Sequence, residues 1–140
     1  MSCGASCVIC VISNDENLVA RIRDVIAKEG YQLQEFSPYD FFYWELAELV
    51  LDVAPCCIIV DDKASCLGNG LFLAPALADM LGGDLETPVG LAGDRDNPQR
   101  SPLPYAHTGF QSDANVEKAL RELVESLRAQ VESYVAPAMP

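Results

Sequence analysis

Two adjacent carboxylates, Asp61 and Asp62, close the apolar run Pro55-Cys-Cys-Ile-Ile-Val60, and a third, Asp15, stands three residues past the run Cys7-Val-Ile-Cys-Val-Ile12. Carboxylates at the ends of neighbouring strands can converge on a divalent cation, or one can accept a phosphoryl group while the others hold the metal. Asp15, Asp61 and Asp62 are therefore the candidate metal ligands, and Asp61 the candidate phosphoacceptor. The same placement also has an ordinary structural reading, since acidic residues are common where parallel strands end and ligand crevices open.

Six cysteines invite redox or metal chemistry. Cys3-x3-Cys7-x2-Cys10 has the spacing of a three-thiolate iron–sulfur motif. Cys7 and Cys10, three apart in a strand, point to opposite faces, and that argues against a shared cluster. Cys56 and Cys57 are adjacent strand residues, which also face opposite ways. Cys10, Cys56 and Cys57 read as reduced core residues, and Cys66, in a loop near Lys63, as the exposed thiol. His107, the only histidine, has no Ser or Cys placed beside it by periodicity and reads as a residue bordering a strand.

Tyr39, Phe41, Phe42, Tyr43 and Trp44 are five aromatics within six residues. They cannot all share one buried helical face, so part of the group is expected on a contact surface. Phe41, Phe42 and Trp44 are the partner-binding candidates here, joined by Asp94, Arg95 and Asp96 in a proline-rich loop and by Val131 and Tyr134 near the end of the last helix.

The elements that must carry these residues alternate. The runs 7–12 and 55–60 lack polar alternation, as in strands covered on both faces. Leu18, Val19, Ile22, Val25 and Ile26 form a helical stripe, with Asn14 or Asp15 as the cap and Gly30 as the stop. Residues 31–36 read as a second strand. Ser37-Pro38 is expected to open a helix running to about Val53. Residues 71–81 predict a helix that Pro75 kinks or whose first turn it marks, 88–92 a fourth strand, and 93–105 a loop where the alternation calls for a helix. A fifth strand is expected near 107–110. The last helix, from about 115 to 134, carries Val116, Leu120, Leu123, Leu127, Val131 and Tyr134 on one stripe.

Strands alternating with helices imply right-handed crossovers and a parallel sheet with helices on both faces. At 140 residues the chain holds one domain, expected over 1–135, with 136–140 a tail or linker start. A net charge of −12 with only nine Lys and Arg argues against nucleic acid, whose phosphates are bound by clustered cations. No apolar run approaches the ~20 residues of a membrane span, and the expected location is the cytoplasm.

The alternation, with acidic or polar residues ending strands one and three, resembles the response-regulator receiver domain over nearly the whole chain. That resemblance implies a flavodoxin- or CheY-like doubly wound five-stranded parallel sheet of order 2-1-3-4-5, here with the fourth helix replaced by a loop. Receivers end strand one with an acidic pair that holds Mg²⁺, and Ser13 and Asn14 stand at those positions. The phosphoacceptor has its counterpart in Asp61. The Thr or Ser expected after strand four aligns with Gly93, and the Lys after strand five with Gln111 or Ser112. Within the group the chain is most similar to the N-terminal pseudo-receivers of the KaiA circadian clock family. The matching segments are Tyr31-Gln-Leu-Gln34, Gly93-Asp-Arg-Asp96, the proline-rich loop and Tyr105 to His107.

In that family the pseudo-receiver is an input and regulatory module. The resemblance thus implies a non-enzymatic signalling module without a cofactor, acting on a protein partner or its own downstream domain, with a homodimer also open. The alternatives are a receiver phosphorylated on Asp61 with Mg²⁺, and a quinone-binding redox sensor.

Overall fold

A computed structural model describes residues 8–61, 63–64, 87–93, 105–108 and 113–135. Strand β1 (Val8–Ile12) leads into helix α1 (Glu16–Lys28), whose start is set by Asp15. Its Oδ1 accepts the Asn17 and Leu18 backbone N–H groups at 3.0 and 3.3 Å, two donors that a helix start otherwise leaves unpaired. Past the other end, Gly30 adopts φ +80°, a left-handed conformation that glycine enters at little cost.

Strand β2 (Gln32–Phe36) follows, then helix α2 (Tyr43–Val53), strands β3 (Cys57–Asp61), β4 (Val89–Gly93) and β5 (Tyr105–His107), and helix α3 (Asp113–Val135). All the strands pair in parallel in the order β2-β1-β3-β4-β5. The body of the sheet is β2-β1-β3-β4, and β5 is a three-residue strip along the β4 edge.

Alternate residues of the central strands feed two cores. Ile9, Val11, Cys57 and Ile59 face α1 and α3, meeting Ile22, Ile26, Leu120 and Leu127. Cys10, Ile12, Ile58 and Val60 face α2, meeting Leu46, Ala47 and Val50. A helix on each face makes the sheet doubly wound. Gly90 admits α3 closely, since a Cβ there would stand 2.8 Å from a Leu123 methyl.

Three expectations are corrected. The Ser37-led helix is broken in two: Pro38–Asp40 is a single 3₁₀ turn, Phe41 is extended, and α2 begins only at Tyr43. Ser37 makes no cap because its hydroxyl donates to Asn14 Oδ1 at 3.0 Å, and Phe41 leaves the helical path to pack against the α2-side core. The fifth strand lies at 105–107, ahead of the expected 107–110. Cys56 is not a reduced core thiol but is disulfide-bonded. It precedes β3 at the sheet entrance, half-buried, with its N–H donating to Val8 O at 2.9 Å, while Cys57 takes the core position. The expected 71–81 helix and most of the 93–105 loop lie outside the described residues.

Candidate functional site

The carboxyl ends of β1 and β3 lie side by side where the strand order reverses, the place where open α/β sheets form crevices. Ile12 registers with Val60, which sets Ser13 beside Asp61. The Ser13 hydroxyl donates to Asp61 Oδ2 at 2.8 Å, with the two residues only 6% and 7% exposed. Asp61 Oδ1 accepts the Lys63 N–H at 3.0 Å, and Ser13 Oγ in turn accepts the Asp15 N–H at 2.9 Å. Both carboxylate oxygens of Asp61 are thus engaged by this chain's own donors.

Asn14 turns the other way. Its Oδ1 accepts the Ser37 hydroxyl and the Tyr39 N–H at 3.0 and 3.3 Å, fastening the connection that follows β2. Asp15 lines the same cleft as Asp61 but spends its Oδ1 on the start of α1. The cleft, about 220 Å³, is also lined by Asn17, Leu18, Arg21, Lys63, Gly93 and Thr108. Among the described lining residues of this cleft, the carboxylates of Asp15 and Asp61 stand with the cations Arg21 and Lys63. Among the described residues no group of three His, Cys, Asp or Glu is placed to hold a metal. Asp62 lies outside the described residues. The residues at the Mg²⁺ position of a receiver therefore do not fit that ion: a serine donor and a turned asparagine replace its carboxylates.

Arg21, Lys63 and Thr108 line the cleft although the sequence pattern did not single them out for it. Thr108 follows β5 directly and replaces Gln111 or Ser112 as the residue after that strand, because β5 ends at His107. Arg21 could have been found from helical spacing, being four residues past Asn17 on the same face.

Of the three-cysteine motif, Cys3 and Cys7 lie outside the described residues. Cys10 is fully buried within β1, and burial pushes its thiol up to about 12, away from the thiolate a cluster requires. Cys57, equally buried, is also raised to about 12 by loss of solvation. His107 is the last residue of β5.

A second region lies at the start of α2. Tyr39, Phe42 and Trp44 are 58%, 40% and 49% exposed, the large apolar side chains most open to solvent among the described residues. The Phe42 and Trp44 rings stack face to face, 4.8 Å between centroids and 2° between planes. Phe42 is held by its N–H, which donates to Glu45 Oε1 at 3.0 Å. Of the expected contact residues, Phe41 is spent on the core, and Tyr39 takes its place on the surface. Val131 and Tyr134 lie in the last turns of α3, and Asp94, Arg95 and Asp96 lie outside the described residues.

No protein-family model matches the chain. No curated protein matches it in sequence. Solved structures match its fold. The signal receiver domain of a modulated diguanylate cyclase from Desulfovibrio desulfuricans G20 superposes with a TM-score of 0.67 at 13% identity, over 91% of this chain and 97% of that one. The chemotaxis response regulator CheY4 of Vibrio cholerae gives 0.61 at 11%, over 84% and 98%. This chain has the receiver fold. The response regulator PhyR from Brucella abortus, at 0.58 and 18%, is matched over 91% of this chain but 52% of its own length. At such identities the likeness fixes the architecture, and the chemistry must be argued from the site residues. No described helix is long and apolar enough to cross a membrane.

Proposed function

We propose that this receiver-fold chain is a regulatory module that signals through protein contacts without phosphotransfer. The observation that carries the reading is the Ser13–Asp61 hydrogen bond, 2.8 Å long and buried. Phosphoryl transfer to an aspartate depends on a divalent ion and nearby cations to neutralise developing charge. Here a hydroxyl donor sits against the acceptor carboxylate where a metal-binding carboxylate would stand, and Thr108 follows β5 in place of a lysine. Incubation with acetyl phosphate and Mg²⁺ is expected to add no acid-labile mass. An addition that disappears in Asp61→Asn would overturn the reading.

The second reading, a receiver phosphorylated on Asp61, is favoured by Arg21 and Lys63, two cations lining the same cleft. The same phosphodonor experiment decides between the two. A finer proposal, clock input of the KaiA kind, is supported by the segments Tyr31–Gln34 and Gly93–Asp96. On either reading the working surface of the contact module includes Tyr39, Phe42 and Trp44, the exposed aromatics at the start of α2.

A further inference from the structure

Between Glu29 and Asp62 the chain has no lysine or arginine. Along α2, Trp44, Glu48 and Asp52 recur at four-residue intervals, which puts them on one helical face, and all three are exposed. Asp40 and Glu45, also exposed, flank the stacked Phe42–Trp44 pair. The surface is thus a flat aromatic platform continued by a carboxylate stripe.

Both halves of this surface work against the stability of the free chain. Exposed aromatic area forgoes burial that would stabilise the fold. Asp52 lies in the last turn of α2, where the helix dipole favours cations and no basic residue is present. Local rules broken together at one place mark a site kept for something other than folding. A positively charged occupant answers both defects, since a guanidinium stacks on an indole face and a cation beside Asp52 meets the negative end of the helix.

We infer that the Tyr39–Asp52 face docks a basic segment of a partner protein, one that carries arginines beside aliphatic side chains. The arginines would lie over the Trp44–Phe42 platform and along Glu48 and Asp52, and the aliphatic groups would cover the ring edges. This deepens the contact-module reading and rests on it, naming the chemistry of the partner.

Trp44 is the only tryptophan in the chain, so its emission reports on this face alone. The probe is a 12-residue peptide of alternating arginine and leucine, titrated into the full chain at moderate salt, with the glutamate–leucine peptide as counterpart. A saturable change in Trp44 emission is expected with the arginine peptide only. Glu48→Lys should weaken binding about tenfold, while Glu122→Lys, an exposed reversal on α3, should change it less than about twofold. Trp44→Ala, followed by calorimetry because it removes the reporter, should weaken binding about fivefold with circular dichroism unchanged.

No saturable response to the arginine peptide overturns the inference. So does equal weakening by Glu48→Lys and Glu122→Lys, which would mean attraction to the net charge of the chain alone. Acid-labile phosphorylation of Asp61 would remove the phosphotransfer-independent reading but leave a positive peptide result standing. A flat titration with Asp61 unmodified removes only the basic partner.

Discussion

Helices α1 and α2 lie on opposite faces of one sheet and are anchored by similar aliphatic residues, yet their ends and outer faces are built differently. α1 has an aspartate cap, Glu16 in its first turn, Lys28 in its last and Gly30 at the left-handed position beyond it. Each choice suits an isolated helix. Two of its outer cations are paired: Arg23 with Glu35 at 2.6 Å, and Lys28 with Glu117 on α3 at 2.9 Å. Arg121 completes the cluster at 2.9 Å from Glu117 and 3.0 Å from Glu29. The Lys28 hydrogen bond and charge, with Arg121 beside it, hold the Glu117 carboxyl below its ordinary range.

α2 is preceded by Phe42, which has no side-chain acceptor to offer, carries Asp52 and no cation in its last turn, and closes on Ala54 at φ 53° ahead of Pro55. A non-glycine residue in the left-handed region costs about 1 kcal/mol. The contrast teaches that the inward faces of both helices serve the fold, whereas only the outward face of α1 does. The outward face of α2 carries the exposed Trp44, Glu48 and Asp52 instead.

The first way to break this comparison is to test whether the inward faces are equivalent. Ile22→Ala on α1 and Leu46→Ala on α2, both fully buried, should each lower unfolding stability in urea by about 3 kcal/mol. A loss below about 1 kcal/mol for Leu46→Ala alone would mean that α2 is loosely held, and its exposed face would then need no partner to explain it.

The next test uses one thiol from each core, Cys10 facing α2 and Cys57 facing α1 and α3. Both are raised to about 12 from an ordinary value near 9, because burial disfavours the thiolate. The unfolded chain releases these protons first, so the stability they contribute is complete below pH 9 and is lost as pH rises toward 12. The loss should be about 1 kcal/mol per pH unit for each thiol, read from urea midpoints at pH 8 to 10.5. Cys10→Ala and Cys57→Ala should flatten the slope by similar amounts. Unequal flattening would show that one core admits water.

The smallest effects belong to the end of α2. Ala54→Gly relieves the left-handed strain, and Asp52→Asn removes a charge opposed to the dipole. Each should raise stability by about 0.5 kcal/mol, measured by thermal melts. The equivalent change on α1, Lys28→Asn, should lower it by a similar amount. Stabilisation by Asp52→Asn together with weaker binding of the arginine peptide would tie the local defect to the contact surface.

Much of this architecture was legible in the residues because short-range physics dictates it. The continuous apolar run ending at Val60 reads as a strand covered on both faces, and the Leu18–Ile26 stripe as a helix capped by Asn14 or Asp15, of which the structure uses Asp15. The aromatic cluster from Tyr39 to Trp44 was visible as too large for one buried face, and the lack of cations between Glu29 and Asp62 can be counted directly. What the local pattern misread, it misread for tertiary reasons. Ser37-Pro38 has the signature of a helix start, but Asn14, more than twenty residues away, takes the Ser37 hydroxyl, and the core takes Phe41.

The site shows the same division. That Ser13 and Asn14 are not carboxylates is a property of the sequence alone, as is the presence of an aspartate after Val60. Only the pairing of β1 with β3 sets Ser13 against Asp61 and converts a missing ligand into a hydrogen bond. Cys56 and Cys57 are neighbours of one type, yet the strand entrance separates them into a disulfide-bonded residue and a buried free thiol. Which aromatics reach solvent was likewise decided by packing, since Phe41 and Phe42 are adjacent and chemically identical. The chain determines its elements through local periodicity and caps, while partners distant in sequence decide what each polar or aromatic group does, because contacts across the sheet depend on register and not on neighbours along the backbone.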